Sequence, residues 1–305
     1  MNRNRKTKIA FTLIELLVVI AIIGILSALI VVGMNSTTEK ARIAKSQVFA
    51  NSLRNSLMGN LISEWKFDVI NSPAANQTPD LWGLNTGTLT DTSGACSFVA
   101  PLKCPQLVTS GCPSGNCLSF DGTDDYVDCG SGAALNFSNN IFTMSAWVKT
   151  NNSGAWKWIY QFGEHASNKD RTLAINASDK AILYVYGTNA IGTTSITNNA
   201  WHYLAGTSDG TTTKIYVDGV SENSAVPTFS TYTYNGARIG KNNAVAAYFF
   251  NGTIDDVRVF DVAMPTSQIQ QDYFAGLNKL FAKNQITQTD YQQRLAELSN
   301  NYVKE

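Results

Sequence analysis

Glu15 is the residue whose chemistry is hardest to place. It stands inside Phe11–Val32, a run apolar throughout except for Thr12, Ser27 and this one carboxylate. At mid-bilayer such a charge costs roughly 2.5–3.5 kcal/mol. Near one end of the run the cost is smaller, and a cation should offset what remains. The nearby cations, Arg3, Arg5, Lys6 and Lys8, all precede the run in a short start without acids.

The second reactive set is five cysteines, Cys96, Cys104, Cys112, Cys117 and Cys129, spaced by eight, eight, five and twelve. None forms a CxxC pair, which argues against zinc. In an exported chain the window rich in Pro, Gly and Ser around the first four reads as a disulfide-stapled loop. Three connectivities are open for these four. Adjacent pairing, Cys96–Cys104 with Cys112–Cys117, is the preferred one, and it leaves Cys129 as a lone thiol buried in a strand.

Hydrolytic chemistry finds little material. Retaining glycosidases need two carboxylates about 5–5.5 Å apart. Between Trp65 and Tyr273 the only glutamates are Glu164 and Glu222, and neither has a partner at suitable strand spacing. Only His165 and His202 could serve as imidazole bases. The expectation is a protein that is not an enzyme.

The elements that must position these residues follow from pattern. The stretch from Leu16 to Met34 is long enough to span a bilayer, with the basic start on the cytoplasmic side. The helix should continue, because Phe49, Leu53, Leu57 and Leu61 recur every four residues and form an apolar stripe. Run to residue 63, it would measure about 80 Å. From Trp65 onward short alternating runs appear. They include Cys117–Phe120, Tyr126–Cys129, Phe142–Lys149, Trp158–Phe162, Ala181–Tyr186, Trp201–Gly206, Lys214–Val217, Gly236–Ile239 and Gly252–Phe260. With turn signals such as Asp218-Gly219 they predict an antiparallel sandwich or jelly roll. The tail reads as two short helices after Pro265, capped by Thr266 or Ser267 and by Thr287, with a break at Asn284-Gln285. The expected class is α+β. A leader (1–10), a long membrane or filament helix (11–63), a jelly roll (64–265) and a helical hairpin tail (266–305) succeed one another.

Charge is balanced, 23 basic against 23 acidic residues, and without the leader's four cations 19 remain. No basic field for nucleic acid exists. Charged residues make up only 15% of the chain, and the abundance of Asn, Thr, Ser and Gly suits strands and turns on an extracellular surface.

Lys8-Ile9-Ala10 followed by Phe11-Thr12-Leu13-Ile14-Glu15-Leu16-Leu17 resembles the prepilin leader of type IV pilins and secretion pseudopilins. Ala10 stands where the family usually has Gly. The resemblance implies cleavage by prepilin peptidase between Ala10 and Phe11, methylation of the new amine, and assembly into a helical homo-oligomer. It also supplies the missing cation: Glu15 would pair with the Phe11 amine of a neighbouring subunit. The protein would sit in the inner (cytoplasmic) membrane before assembly and on an extracellular filament afterwards.

A second resemblance covers about Glu64 to Tyr273. Leu118-Ser-Phe-Asp121-Gly-Thr-Asp124-Asp125-Tyr-Val127, Phe142–Val148, Trp201–Gly206, Lys214–Gly219 and Gly252-Thr-Ile-Asp255-Asp256-Val-Arg258-Val-Phe260 are similar, in order, to the laminin-G-like, concanavalin A-type jelly roll. The resemblance implies a structural Ca²⁺ shared by Asp80 and Asn85 of one turn and Asp255 of a strand, oxygen ligands that suit a hard cation. The plainer alternative is that Asp80 and Asn85 cap a turn and that Asp255 or Asp256 pairs with Arg258 or a lysine. Asp121, Asp124 and Asp125 read as turn formers. Such domains bind glycans or proteins at a rim or a face, and Trp156, Trp158, Tyr184, Tyr186, Tyr232, Tyr234 and Tyr248 are candidate stacking rings. Strand alternation places half of them in the core. The combined expectation is a filament subunit displaying an adhesion or recognition domain. The alternatives are a structural pilin whose sandwich is only a coat, or a membrane-anchored glycan-binding or glycan-processing protein.

Overall fold

The computed structural model describes residues 58–69, 76–96, 104–132, 135, 140–163, 170–229, 236–243 and 247–302. The expected N-terminal helix, with Ala10, Phe11 and Glu15, lies outside the described residues. Among the described residues no helix is long and apolar enough to cross a membrane.

The strands are, in order, β1 (Leu61–Trp65), β2 (Gln77–Thr78), β3 (Gly87–Asp91), β4 (Gly94–Ala95), β5 (Gln106–Val108) and β6 (Cys117–Asp121). There follow β7 (Tyr126–Asp128), β8 (Ile141–Lys149), β9 (Lys157–Phe162), β10 (Arg171–Ile175), β11 (Lys180–Val185) and β12 (Thr188–Ser195). The last are β13 (Trp201–Asp209), β14 (Thr213–Val217), β15 (Val220–Ala225), β16 (Ala237–Ile239) and β17 (Asn251–Phe260). Two helices close the chain, α1 (Thr266–Ala282) and α2 (Gln288–Tyr302).

The strands make two antiparallel sheets. The first runs β15-β14-β13-β8-β17-β6-β5, with β1 added on β17. The second runs β12-β11-β10-β9-β16-β7-β3-β2, with β4 on β3. One edge of β17 is shared: β6 pairs with residues 251–254 and β1 with 257–260.

Alternation along β8 shows how the layers are built. Phe142, Met144, Ala146 and Val148 point into the core between the sheets, meeting Ile159, Phe162, Leu173 and Leu183 of the second sheet. Trp147 points the other way, into a second cluster with Tyr203, Tyr216, Ile269, Tyr273, Leu277 and Leu280. The first sheet therefore buries both faces, the outer one under the helical tail. Trp147 stacks on Tyr273 with ring centroids 5.8 Å apart. A Cβ on Gly276 would run into the Trp147 ring, so this turn of α1 needs glycine. Arg294 of α2 donates to the Trp201 carbonyl at 2.8 Å and pins the second helix to β13.

The tail starts without the expected cap: Pro265 occupies the N-cap of α1 with no side-chain bond. Thr287 does cap α2, accepting from Asp290 N at 3.1 Å. The Asp218-Gly219 turn joins β14 to β15 with positive φ at both residues, the backbone a two-residue hairpin needs.

One boundary differs from the sequence pattern. The helix expected to reach residue 63 is not helical from Leu61, which opens β1 after a short 3-10 turn at Met58–Asn60. Leu61 does extend the apolar stripe in sequence, but here it packs in the outer cluster while Trp65 enters the core. The open edge of β17 and an ion pair from Glu64 to Arg258 outweigh the helical period.

Candidate functional site

Asp80 and Asn85 come together, in a turn clipped onto β1. Asp80 Oδ1 accepts Glu64 N at 2.9 Å and Trp82 N at 3.1 Å, and Oδ2 accepts Asn85 N at 3.2 Å. The Asn85 amide donates to Ser63 Oγ, and its carbonyl accepts from the Trp65 indole. Asp255 sits elsewhere, its oxygens accepting Ser114 N and Asp256 N. Asp80 and Asp255 share no hydrogen-bond partner. Among the described residues the one group of three carboxylates whose oxygens lie within 4.8 Å of one another is Asp121, Asp124 and Asp125, which includes neither. Asp80 and Asn85 thus brace one turn, as the turn-cap alternative has it, while Asp255 is bonded to Ser114 and Asp256. Asp121 Oδ1 accepts Thr123 N, and Asp125 Oδ2 accepts Asp121 N, a carboxylate-braced turn. Burial pushes the Asp125 carboxyl up to about 6.

The cysteines take the adjacent pairing, Cys96–Cys104 and Cys112–Cys117. Cys129 is a buried free thiol just beyond β7, and burial pushes its pKa up, which keeps it protonated and inert.

Asp255 and Asp256 lie beside a charge cluster that the sequence only half disclosed. Arg258 Nε donates to Glu64 Oε1 at 2.8 Å, and its Nη atoms lie 3.5 Å from Asp256 and 3.9 Å from Asp272. One guanidinium thus ties β1, β17 and α1. Burial opposes its charge, but Asp256, Asp272 and Glu64 outweigh burial and hold Arg258 protonated. Burial first, then Asp256, pushes the Asp255 carboxyl up to about 9. The Asp256–Arg258 pairing was an open alternative in the sequence. Glu64 and Asp272 were missed, since only the register Glu64↔Arg258 and the docking of α1 bring them in.

Of the candidate rings, Trp158 and Tyr186 are buried, Tyr184 is half-buried, and Tyr232 and Tyr234 lie outside the described residues. Trp156 and Tyr248 are surface residues, 37% and 40% exposed, with centroids 6.4 Å apart and planes at 58°. Trp158 lies beneath, stacked on Tyr248 at 4.6 Å and 15°. The Trp158 N–H donates to the Tyr248 carbonyl at 3.0 Å. Tyr248 has φ 61°, a left-handed conformation that a bulky residue adopts at a cost. The Trp156 loop is clamped by Asp179, which accepts Gly154 N at 3.0 Å and the Ser153 hydroxyl. The result is a two-ring ledge on the second sheet.

Two other features stand out. Leu81, Trp82 and Leu84 are exposed on the turn that Asp80 holds. A cleft of about 390 Å³ between β12, β15 and the tail is lined by Thr193, Thr194, Asp218, Glu222, Tyr273 and Arg294. Its three acids already serve the protein: Glu222 accepts from Thr193 and Thr194, Asp218 from Tyr203 N, and Glu297 from the Gln293 amide.

Residues 121–270 match the family described as the concanavalin A-like lectin/glucanases superfamily. Residues 5–31 match the prokaryotic N-terminal methylation motif. Among solved structures, the binding domain of paraclostridial mosquitocidal protein 1 is similar with TM-score 0.52 and 14% identity, covering 73% of this chain and 53% of that one. Domain 4 of AbnA, a GH43 extracellular arabinanase from Geobacillus stearothermophilus in complex with arabinotriose, gives 0.51 and 20%, covering 70% and 98%. A mutant Trypanosoma rangeli sialidase displaying trans-sialidase activity gives 0.55 and 13%, covering 77% and 38%. The chain thus spans about half of the first of these and about two fifths of the last. At these identities the likeness is one of fold. The chain joins an N-terminal methylation motif of the type IV prepilin kind to a concanavalin A-like, laminin-G-type domain.

Proposed function

We propose that this protein is a subunit of a type IV pilus-like or pseudopilus-like filament that polymerises through its N-terminal segment and displays the sandwich as a recognition domain. The carrying observation is the methylation motif at 5–31 in the same chain as a lectin-like domain at 121–270. The chemistry of Glu15 fits this reading. Once prepilin peptidase removes residues 1–10, the leader cations are gone and the Phe11 amine of a neighbouring copy becomes the natural partner for the carboxylate. A buried polar pair of this kind sets register between helices. Inner-membrane residence before assembly and surface exposure afterwards follow from the same motif.

The domain's task in this proposal is binding rather than turnover. Several acids of the described residues are engaged in holding the fold: Asp80 caps a turn, Glu222 braces β12, and Glu64 and Asp256 flank Arg258. Any calcium would be structural, with Asp80, Asn85 and Asp255 as its candidate oxygen donors.

Mass spectrometry of the mature protein tests the filament reading. A chain starting at methylated Phe11 is expected. An intact Met1, or a cut after residue 33, would overturn it.

A further inference from the structure

The ledge formed by Trp156 and Tyr248 has features that a chance surface pair lacks. Both rings are held from behind, Tyr248 by the stacked Trp158 indole and by its own carbonyl, Trp156 by a loop clipped to Asp179. Tyr248 keeps a left-handed backbone, and a bulky residue at positive φ points to a position held for function. Rings already fixed in place lose little freedom when a ligand arrives.

The surroundings select the ligand. The Trp156 loop, Thr150-Asn-Asn-Ser-Gly-Ala-Trp156, contains no aliphatic residue larger than Ala. A lipid or a protein hot spot would ask for contiguous aliphatic surface, as at Leu81, Trp82 and Leu84. The cations of both ledge loops are already engaged. Lys157 is buried, donates to the Ala155 carbonyl at 2.7 Å and faces Asp179 at 4.0 Å. Lys241 lies over the Tyr126 ring at 4.2 Å. On the Trp156 side what remains is electron-rich ring surface amid amide and hydroxyl groups. Such faces attract the weakly positive C–H groups on one side of a sugar ring.

We infer that the Trp156–Tyr248 ledge is a binding site for the apolar face of a neutral pyranose within a glycan. The inference rests on the recognition reading of the domain and gives it a place and a ligand class.

The test uses the full chain in detergent micelles, on an array of neutral and charged oligosaccharides. Tryptophan-fluorescence titrations with lactose, cellotetraose, chitotetraose and 3′-sialyllactose accompany it. A saturable response to at least one neutral sugar is expected. Trp156→Ala and Tyr248→Ala should each weaken it about tenfold or more. Trp156→Phe should retain most of the binding, and Trp82→Ala, remote in sequence on the Asp80 turn, should leave it unchanged. Equal thermal midpoints for wild type and Trp156→Phe keep the comparison independent of folding. Binding of sialyllactose alone, no neutral sugar bound, or undiminished binding in Trp156→Ala and Tyr248→Ala would each overturn the inference. Filaments that still capture cells or proteins without such sugars would overturn the ledge and leave the recognition reading standing. A mature N-terminus other than Phe11 would overturn the filament and leave the ledge.

Discussion

Replacing Arg258 by Met should be the most damaging single charge removal in the sandwich. The side chain is largely buried, as are Glu64 and Asp256 beside it. Its Nε–Glu64 bond of 2.8 Å is charge-assisted, and the Asp256 and Asp272 carboxylates lie at 3.5 and 3.9 Å. Met fills most of the volume but supplies no charge. Glu64 keeps Lys66 nearby, at 3.7 Å, and Asp256 still faces the like charge of Asp255. Breaking a buried pair from one side costs about 3–5 kcal/mol. For a domain of this size each kcal/mol lowers the midpoint by about 2–4 °C, so a fall of about 6–20 °C is expected. Scanning calorimetry of the full chain in detergent would measure it. Arg258→Met with Asp256→Asn should recover part of the loss, since the second change removes one stranded charge. Arg258→Lys should recover little, because a single ammonium does not reach three carboxylates in planar geometry. A loss under 1 kcal/mol for Arg258→Met, or full rescue by Lys, would refute the view that this guanidinium ties β1, β17 and α1.

Asp80→Ala should destabilise by about 1–3 kcal/mol, because it strands the buried Glu64 N–H, and the loss should be the same with calcium or with chelator. A calcium-dependent loss in thermal denaturation would show that Asp80 holds an ion after all. Asp255 has a folded pKa above its unfolded value of about 3.9. Its stabilising contribution is therefore full below about pH 4 and lost as pH rises through about 9. Asp255→Asn should gain on wild type across that window in denaturant titrations, and a constant gap at all pH values would contradict the shift. Glu15→Ala should leave the protein inserted and folded but impair filament assembly, and normal filaments by electron microscopy would show that the charge is not needed for register.

Much of the sandwich could be read from sequence because its central strands carry their own alternation. Phe142–Lys149 and Gly252–Phe260 lie within one residue of β8 and β17, whose inward positions are large and apolar. β12 and β15 were invisible for the opposite reason. They lie at sheet edges, and Thr188–Ser195 shows mostly polar side chains to solvent. β1 was misread because Leu61 satisfies a helical stripe and a strand equally. Only pairing with β17 decides between them. At the ledge, residue types were legible but their meeting was not. Trp156 and Tyr248 are separated by eight intervening strands, and no periodicity relates them. The cysteine pairing was a preference among three open connectivities, and the structure has the preferred one, Cys96–Cys104 with Cys112–Cys117.

The shared edge of β17 has a mechanical meaning. The chain enters the sandwich at Leu61, so covalent tension drawn up from the N-terminal segment is delivered first to β1. This strand is held on a single ladder, to residues 257–260. Three grips reinforce it along its length: Leu61 in the outer cluster, the Glu64–Arg258 pair, and Trp65 in the core. Peeling from the N-terminal end must extract Leu61 before it reaches the ion pair. A pull applied from the N-terminal side would thus pass through these five residues, and β1 is the first element of the sandwich to bear it.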